Sequence, residues 1–195
     1  MRMIVRIGTA TVLAALATPA FAHTGTEPHI HGFVAGLIHP LGGLDHLLAM
    51  IAVGIWSSLA TGNAIGRRVW IVPANFVAAM LVGAGLAQSG VALPGAETAI
   101  AASVVMLGAL IAAGVSLPIG IGAALVASFA VFHGYAHGLE ATGPVSGYMA
   151  GFALTTAFLH ATGIVLGRTI AAAPLGSRVF GAGIAACGAY LVAML

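Results

Sequence analysis

Lysine is absent from this chain of 195 residues, and six arginines and four acids make up its entire formal charge. Charged residues are 5% of the sequence, whereas a soluble domain carries about 25%, so a solvated globular surface is excluded. The same shortage removes the polar bias of a disordered chain and the basic stripe of a nucleic-acid binder. Cysteine occurs once, at Cys187, which excludes an intramolecular disulfide and any multi-cysteine metal site. Apolar residues fill the gap at 61%, and 28 glycines supply the small side chains that let membrane helices approach closely. The expected class is all-α: a polytopic membrane protein embedded in the lipid bilayer.

Residues 1–22 read as a secretory leader. Arg2 and Arg6 precede the apolar run Ile7–Leu16, and Pro19-Ala20-Phe21-Ala22 ends in an A-x-A cleavage pattern. The apolar core is too short for a spanning helix. Cleavage after Ala22 would leave a segment over 23–31 outside the cytoplasmic membrane, followed by a transmembrane domain over 32–195.

That domain divides into six spans, roughly 32–59, 69–88, 97–116, 118–139, 145–167 and 175–195. Turn-rich breaks separate them, among them Thr61-Gly62-Asn63, Ser89-Gly90, Pro118, Thr142-Gly143-Pro144 and Pro174. With the N-terminus outside, Arg67, Arg68, Arg168 and Arg178 all fall in inner loops, as the positive-inside rule requires. Trp56 and Trp70 flank the first inner loop as interfacial aromatics, while Tyr148 and Tyr190 fall near the outer boundary. Glycine pairs at 32/36, 134/138, 147/151 and 163/167 are expected to serve tight helix packing, and glycine-rich faces could also join copies of the chain. Six spans could form a three-plus-three repeat, but the polar motifs do not fall at matching places in the two halves, so no repeat is expected.

Polar residues inside the spans carry the chemistry. The first span holds His39-Pro40-Leu41-Gly42-Gly43-Leu44-Asp45-His46, the fourth ends with His133, His137 and Glu140, and the fifth holds Thr155, Thr156 and His160. A carboxylate at mid-membrane costs about 2.5–3.5 kcal/mol, so such groups point to function. On a helix His133, His137 and Glu140 share one face, and His39 and His46, seven residues apart, share another. Depth counting gives two tiers: an outer one of His39, His133, His137 and Glu140, and a deeper one of Asp45, His46 and His160. Pro40 and Gly42-Gly43 are expected to bend the first span.

Neutral imidazole binds Ni²⁺, Co²⁺, Zn²⁺ or Cu²⁺, and carboxylate supplies compensating charge. Without a cysteine or methionine cluster, soft Cu⁺ is disfavoured; Met50, Met80 and Met106 read as core or lipid-facing fillers, and Cys187 as a small packing residue. A proton relay through the same groups stays open. So does an intramembrane zinc hydrolase with Asp45 activating water, although HExxH is missing. A metal-sensing accessory subunit is a third class. His23, Glu27, His29 and His31 near the new terminus could capture metal.

The two signatures His39-x5-Asp45-His46 and Phe132-His133-Gly134-Tyr135-Ala136-His137-Gly138-x-Glu140 together resemble those of the HupE/UreJ family, hydrogenase and urease accessory membrane proteins regarded as nickel permeases. The resemblance covers essentially the whole mature chain. It implies a bacterial inner-membrane protein that takes up Ni²⁺, with Co²⁺ as a related substrate, through His39, Asp45, His46, His133, His137 and Glu140. No enzymatic activity and no prosthetic group are implied.

Overall fold

The structure, a computed structural model, describes residues 31–62, 66–173 and 175–195. The leader expected over 1–22, and His23, Glu27 and His29 of the segment after it, lie outside the described residues. Within them the chain is helical and has no strand. The helices are α1 (Phe33–Ile38), α2 (Leu44–Ala60), α3 (Ile71–Gln88), α4 (Ala96–Ala113), α5 (Ile119–Glu140), α6 (Val145–Ala171) and α7 (Gly176–Ala193). Five of them, with the 3₁₀ turn Arg67–Trp70 extending α3, are long and apolar enough to cross a membrane unbroken.

The first span departs from a single straight helix. Residues Phe33–Leu41 and Leu44–Ala60 reach spanning length together and meet at 83°, the geometry of a broken span or a re-entrant loop. The break follows from the sequence between them: Pro40 sits in the 3₁₀ turn His39–Leu41, and Gly43 adopts extended backbone at φ −107°. Other elements tie down the freed ends. The Thr155 hydroxyl donates to the Leu37 carbonyl (2.8 Å), and the Gly32 amide donates to Thr142 O (2.9 Å).

Glycines order the remaining helices by removing the side chains that would keep the backbones apart. Helix α2 packs on α6, α3 on α5, and α4 on α7. A Cβ at Gly54 would strike the His160 carbonyl, and one at Gly134 would strike the Met80 carbonyl. One at Gly163 would meet Ile51 O, and one at Gly83 would meet Val131 O. Every one of these contacts is carried onto its counterpart by a shift of 80 residues: 54 to 134, 160 to 80, 163 to 83 and 51 to 131. Helix ends obey the same shift. Ala60 and Glu140 close α2 and α5, and Ala96–Ala113 maps onto Gly176–Ala193.

The domain is therefore an inverted repeat of α2–α4 and α5–α7, each half crossing in the opposite sense to its mate. This corrects the expectation of no repeat. Polar residues differ between the halves because each half contributes different residues to one site, Asp45 and His46 from the start of α2 and His133, His137 and Glu140 from the end of α5. The glycine contacts, which set helix distance, are shared. Replacing Gly134 by leucine is expected to separate α3 from α5 at a cost of at least about 1–3 kcal/mol. Thermal unfolding of the purified protein measures this, with Gly85→Ala, which meets nothing within 4 Å, as the neutral control.

Arg67, Arg68, Arg168 and Arg178 gather at one end of the bundle, and α5 brings Glu140 to the other. Trp70 is exposed, as an interfacial ring should be, but Trp56 is buried inside the bundle and its Nε1 donates to Val115 O (3.0 Å). Tyr148 falls in the first turn of α6, near the Glu140 end as expected, but is buried against the other helices.

Candidate metal centre

Three segments converge at the end away from the arginines. The break after α1 presents His39, the first turn of α2 presents Asp45 and His46, and the last two turns of α5 present His133, His137 and Glu140. His39 Nε2 donates to Glu140 Oε2 at 2.8 Å, and His137 Nδ1 lies 3.5 Å from the same oxygen. One ligand atom each from His39, His137 and Glu140 falls within 4.8 Å of the others, a spacing that one cation can bridge. Around this trio the rings are nearly in contact. His137 lies 4.9 Å from His39 and 4.2 Å from His46, centroid to centroid, and His46 lies 5.0 Å from His133.

Exposure falls steeply inward. The Glu140 and His39 side chains are 53% and 36% exposed, whereas His137 and His133 are 1% and 0% exposed. The cluster is thus a funnel whose mouth carries a carboxylate and whose throat is lined by imidazoles. Phe152 packs on His137 at 3.9 Å and Tyr148 on His39 at 5.7 Å, giving the throat an apolar wall.

Hydrogen bonds fix which ring nitrogens are free. Asp45 Oδ1 accepts from the His46 amide (2.8 Å) and from its Nδ1 (2.7 Å), so Nδ1 carries the proton and Nε2 is left bare. A Cβ on Gly43 would crowd that same carboxylate oxygen, which explains glycine there. Ser103 on α4 gives its proton to Ile100 O (2.6 Å) and can only accept from His133 Nε2 (3.1 Å), which leaves His133 Nδ1 bare. His160 Nδ1 donates to the Met50 carbonyl (2.8 Å), leaving Nε2 bare. All three bare nitrogens are buried without a hydrogen-bond partner, as is His137 Nε2, while His137 Nδ1 has only the 3.5 Å approach of Glu140. A buried, unmet acceptor costs about 1–3 kcal/mol, which a cation would recover.

The two-tier arrangement expected from depth counting does not form. Asp45 and His46 stand beside His133 and His137, within about 10 Å of the end of α5, because the first span breaks instead of running straight. His160 stands apart. Its ring packs on Phe76 (5.1 Å), and Phe76 in turn packs on His133 (5.4 Å). Ser103 and the two aromatics Phe76 and Phe152 were not anticipated. The signal for Ser103 was a hydroxyl buried in the otherwise apolar middle of α4. His31 lies against Gly143 in the turn between α5 and α6, near the mouth.

The HupE / UreJ protein family matches residues 11–191. Among curated proteins, "Protein HupE" of Rhizobium leguminosarum bv. viciae is 46% identical over 186 residues, covering 93% of this chain and 95% of that one. No solved structure matches.

Proposed function

Because the chain belongs to the HupE / UreJ family, we propose that it carries Ni²⁺, with Co²⁺ as a second substrate, inward across the cytoplasmic membrane through the cluster of His39, Asp45, His46, His133, His137 and Glu140. The observation that carries this reading is convergence: three sequence-distant segments bring four imidazoles and two carboxylates to one funnel. Two carboxylates balance the charge of one divalent ion, and imidazole nitrogen suits nickel, cobalt and zinc better than magnesium or calcium. The arginine end faces the cytoplasm and the funnel faces outward. His23, His29 and His31 precede the funnel mouth in sequence and serve as first capture ligands.

A hydrolase reading fares worse on the same geometry. Asp45 is committed to His46, the Thr155 hydroxyl donates to Leu37 O, and the Thr156 hydroxyl donates to Met50 Sδ at 3.4 Å. No nucleophile is aimed at the imidazoles among these groups. Elemental analysis of cells with and without the protein tests the transport reading: nickel accumulation should rise when the chain is present and stay unchanged when it carries Glu140→Gln with His137→Ala.

Ser103 provides a finer test, since it holds His133 in one tautomer without reaching the cation. Ser103→Ala is expected to weaken Ni²⁺ binding by roughly 10–100-fold, the usual effect of removing a partner that orients a ligand. Calorimetric titration reads the affinity, and nitrogen NMR of His133 reads the loss of a fixed Nε2–H. Ser128→Ala, on the exposed side of α5, should change neither.

A further inference from the structure

The repeat relates each position near one end of the bundle to a position 80 residues away near the other. At the arginine end, Ala60, Thr61, Arg68, Leu117, Pro118 and Ile119 line a cavity of about 350 Å³. Under the shift of 80 residues set by the helix ends, Ile119 corresponds to His39, Ala60 to Glu140, Arg68 to Tyr148 and Leu117 to Leu37. Those four counterparts form the funnel mouth. His39 bonds Glu140 and lies on Tyr148, and the Leu37 carbonyl accepts from Thr155. The cavity therefore takes up the sequence positions that mirror the entrance, with isoleucine and alanine where the entrance has its imidazole and carboxylate.

Trp56 stands between the two openings. It lies one turn inside Ala60 on α2 and about 15 Å along that helix from His46. Its ring is 1% exposed, its Nε1 is tied to Val115 O in the loop between α4 and α5, and Gly122 leaves the space its ring edge fills.

We propose that this cavity is the inner vestibule through which the same divalent cation leaves, and that Trp56 is the plug closing it from the cluster in the conformation seen here. The proposal rests on the transport reading above and adds a route and a gate to it. In an inverted repeat the second conformation arises when the halves exchange arrangements about a fixed site. Here a break at His39–Gly43 precedes α2, while its counterpart, 119–123, is the unbroken first turn of α5. Exchange moves Trp56 off Gly122 and joins the cavity to the throat. A cation reaching the vestibule meets no imidazole and no carboxylate there, only the Arg68 guanidinium, so it is not retained.

The test uses the full chain carrying Cys187→Ala, so that no native thiol reacts, and Ile119→Cys as the probe. In vesicles exposing the arginine end, a charged maleimide should label the Ile119→Cys chain from that side. A Ni²⁺ gradient should raise the labelling rate several-fold, and labelling should cut Ni²⁺ uptake by tenfold or more. Gly66→Cys, in an exposed loop at the same end with nothing within 4 Å of its Cβ position, should be labelled without loss of uptake. Leu117→Cys gives the same readout should Ile119→Cys fail to fold. Trp56→Ala should open the Ile119→Cys thiol to maleimide applied at the funnel face as well, a path that Trp56 blocks when present. Uptake that survives complete labelling, or reactivity from the opposite face only, would overturn the vestibule while leaving transport intact. If the unlabelled chain moves no Ni²⁺ in these vesicles, the transport reading itself fails, and the vestibule with it.

Discussion

Nickel uptake is expected to fall to the level of empty vesicles when His137 is replaced by alanine. His137 is the member of the cluster that touches most of the others: its ring contacts those of His39, His46 and Phe152, and its Nδ1 approaches Glu140. Removing it separates the mouth from the throat and deletes one of three ligand atoms that lie within 4.8 Å of each other. Loss of a partner that merely orients a ligand costs about 10–100-fold, so loss of the ligand itself is expected to exceed 100-fold in affinity. His137→Gln keeps most of the volume and one acceptor, and should retain a small fraction of the uptake. Size-exclusion profiles of both variants should match the parent, since the ring contributes to the funnel more than to helix packing. Initial rates of nickel entry, normalised to inserted protein, read the outcome.

Asp45→Asn is the second large effect expected. The side chain keeps its shape, and its amide oxygen can still accept one of the two bonds that Asp45 Oδ1 now accepts from His46. What disappears is charge. A divalent ion about 5 Å from a carboxylate gains roughly 7 kcal/mol at an effective dielectric of about 20, so removing that carboxylate should weaken binding by at least ~100-fold. The tautomer of His46 is also released, because an amide can present either a donor or an acceptor to Nδ1. Uptake should therefore be abolished with membrane insertion intact. Met106→Leu, a near-isosteric change at a partly buried position that offers the cluster no nitrogen or carboxylate, should leave uptake as it was.

Much of the fold was legible in the chain. Apolar length and turn residues marked the spans, and the separation of Arg67, Arg68, Arg168 and Arg178 from Glu140 marked the two ends. The helical spacing of His133, His137 and Glu140 gave their common face correctly, because α5 is unbroken where they sit. His39 and His46 were grouped on the assumption of a straight helix. They do meet at His137, but from the two sides of an 83° break. Pro40 and Gly42-Gly43 signalled a bend without giving its angle. That angle is set by what α1 lands on, namely the start of α6 at Tyr148 and Phe152, where Gly36 permits contact.

Other features had no readable local signal. His160 satisfies one nitrogen on the Met50 carbonyl and packs on Phe76; backbone acceptors in another helix leave no trace in a sequence motif. The repeat was hidden for a related reason. Helix spacing depends on a few glycines 80 residues apart, such as Gly54 and Gly134 or Gly83 and Gly163, while the polar residues that draw the eye belong to the site and follow no such symmetry. Trp56 is misplaced by interfacial reasoning because its partners, Val115 and Gly122, come from the opposite half of the chain.

The most direct measurement is the initial rate of Ni²⁺ entry into proteoliposomes containing only the purified chain. Saturable entry that drops to background in Asp45→Asn and His137→Ala, while Met106→Leu matches the parent, is the result expected if the funnel carries the cation. Entry at the parental rate in both of those variants, or no entry above protein-free vesicles in any form, would contradict it.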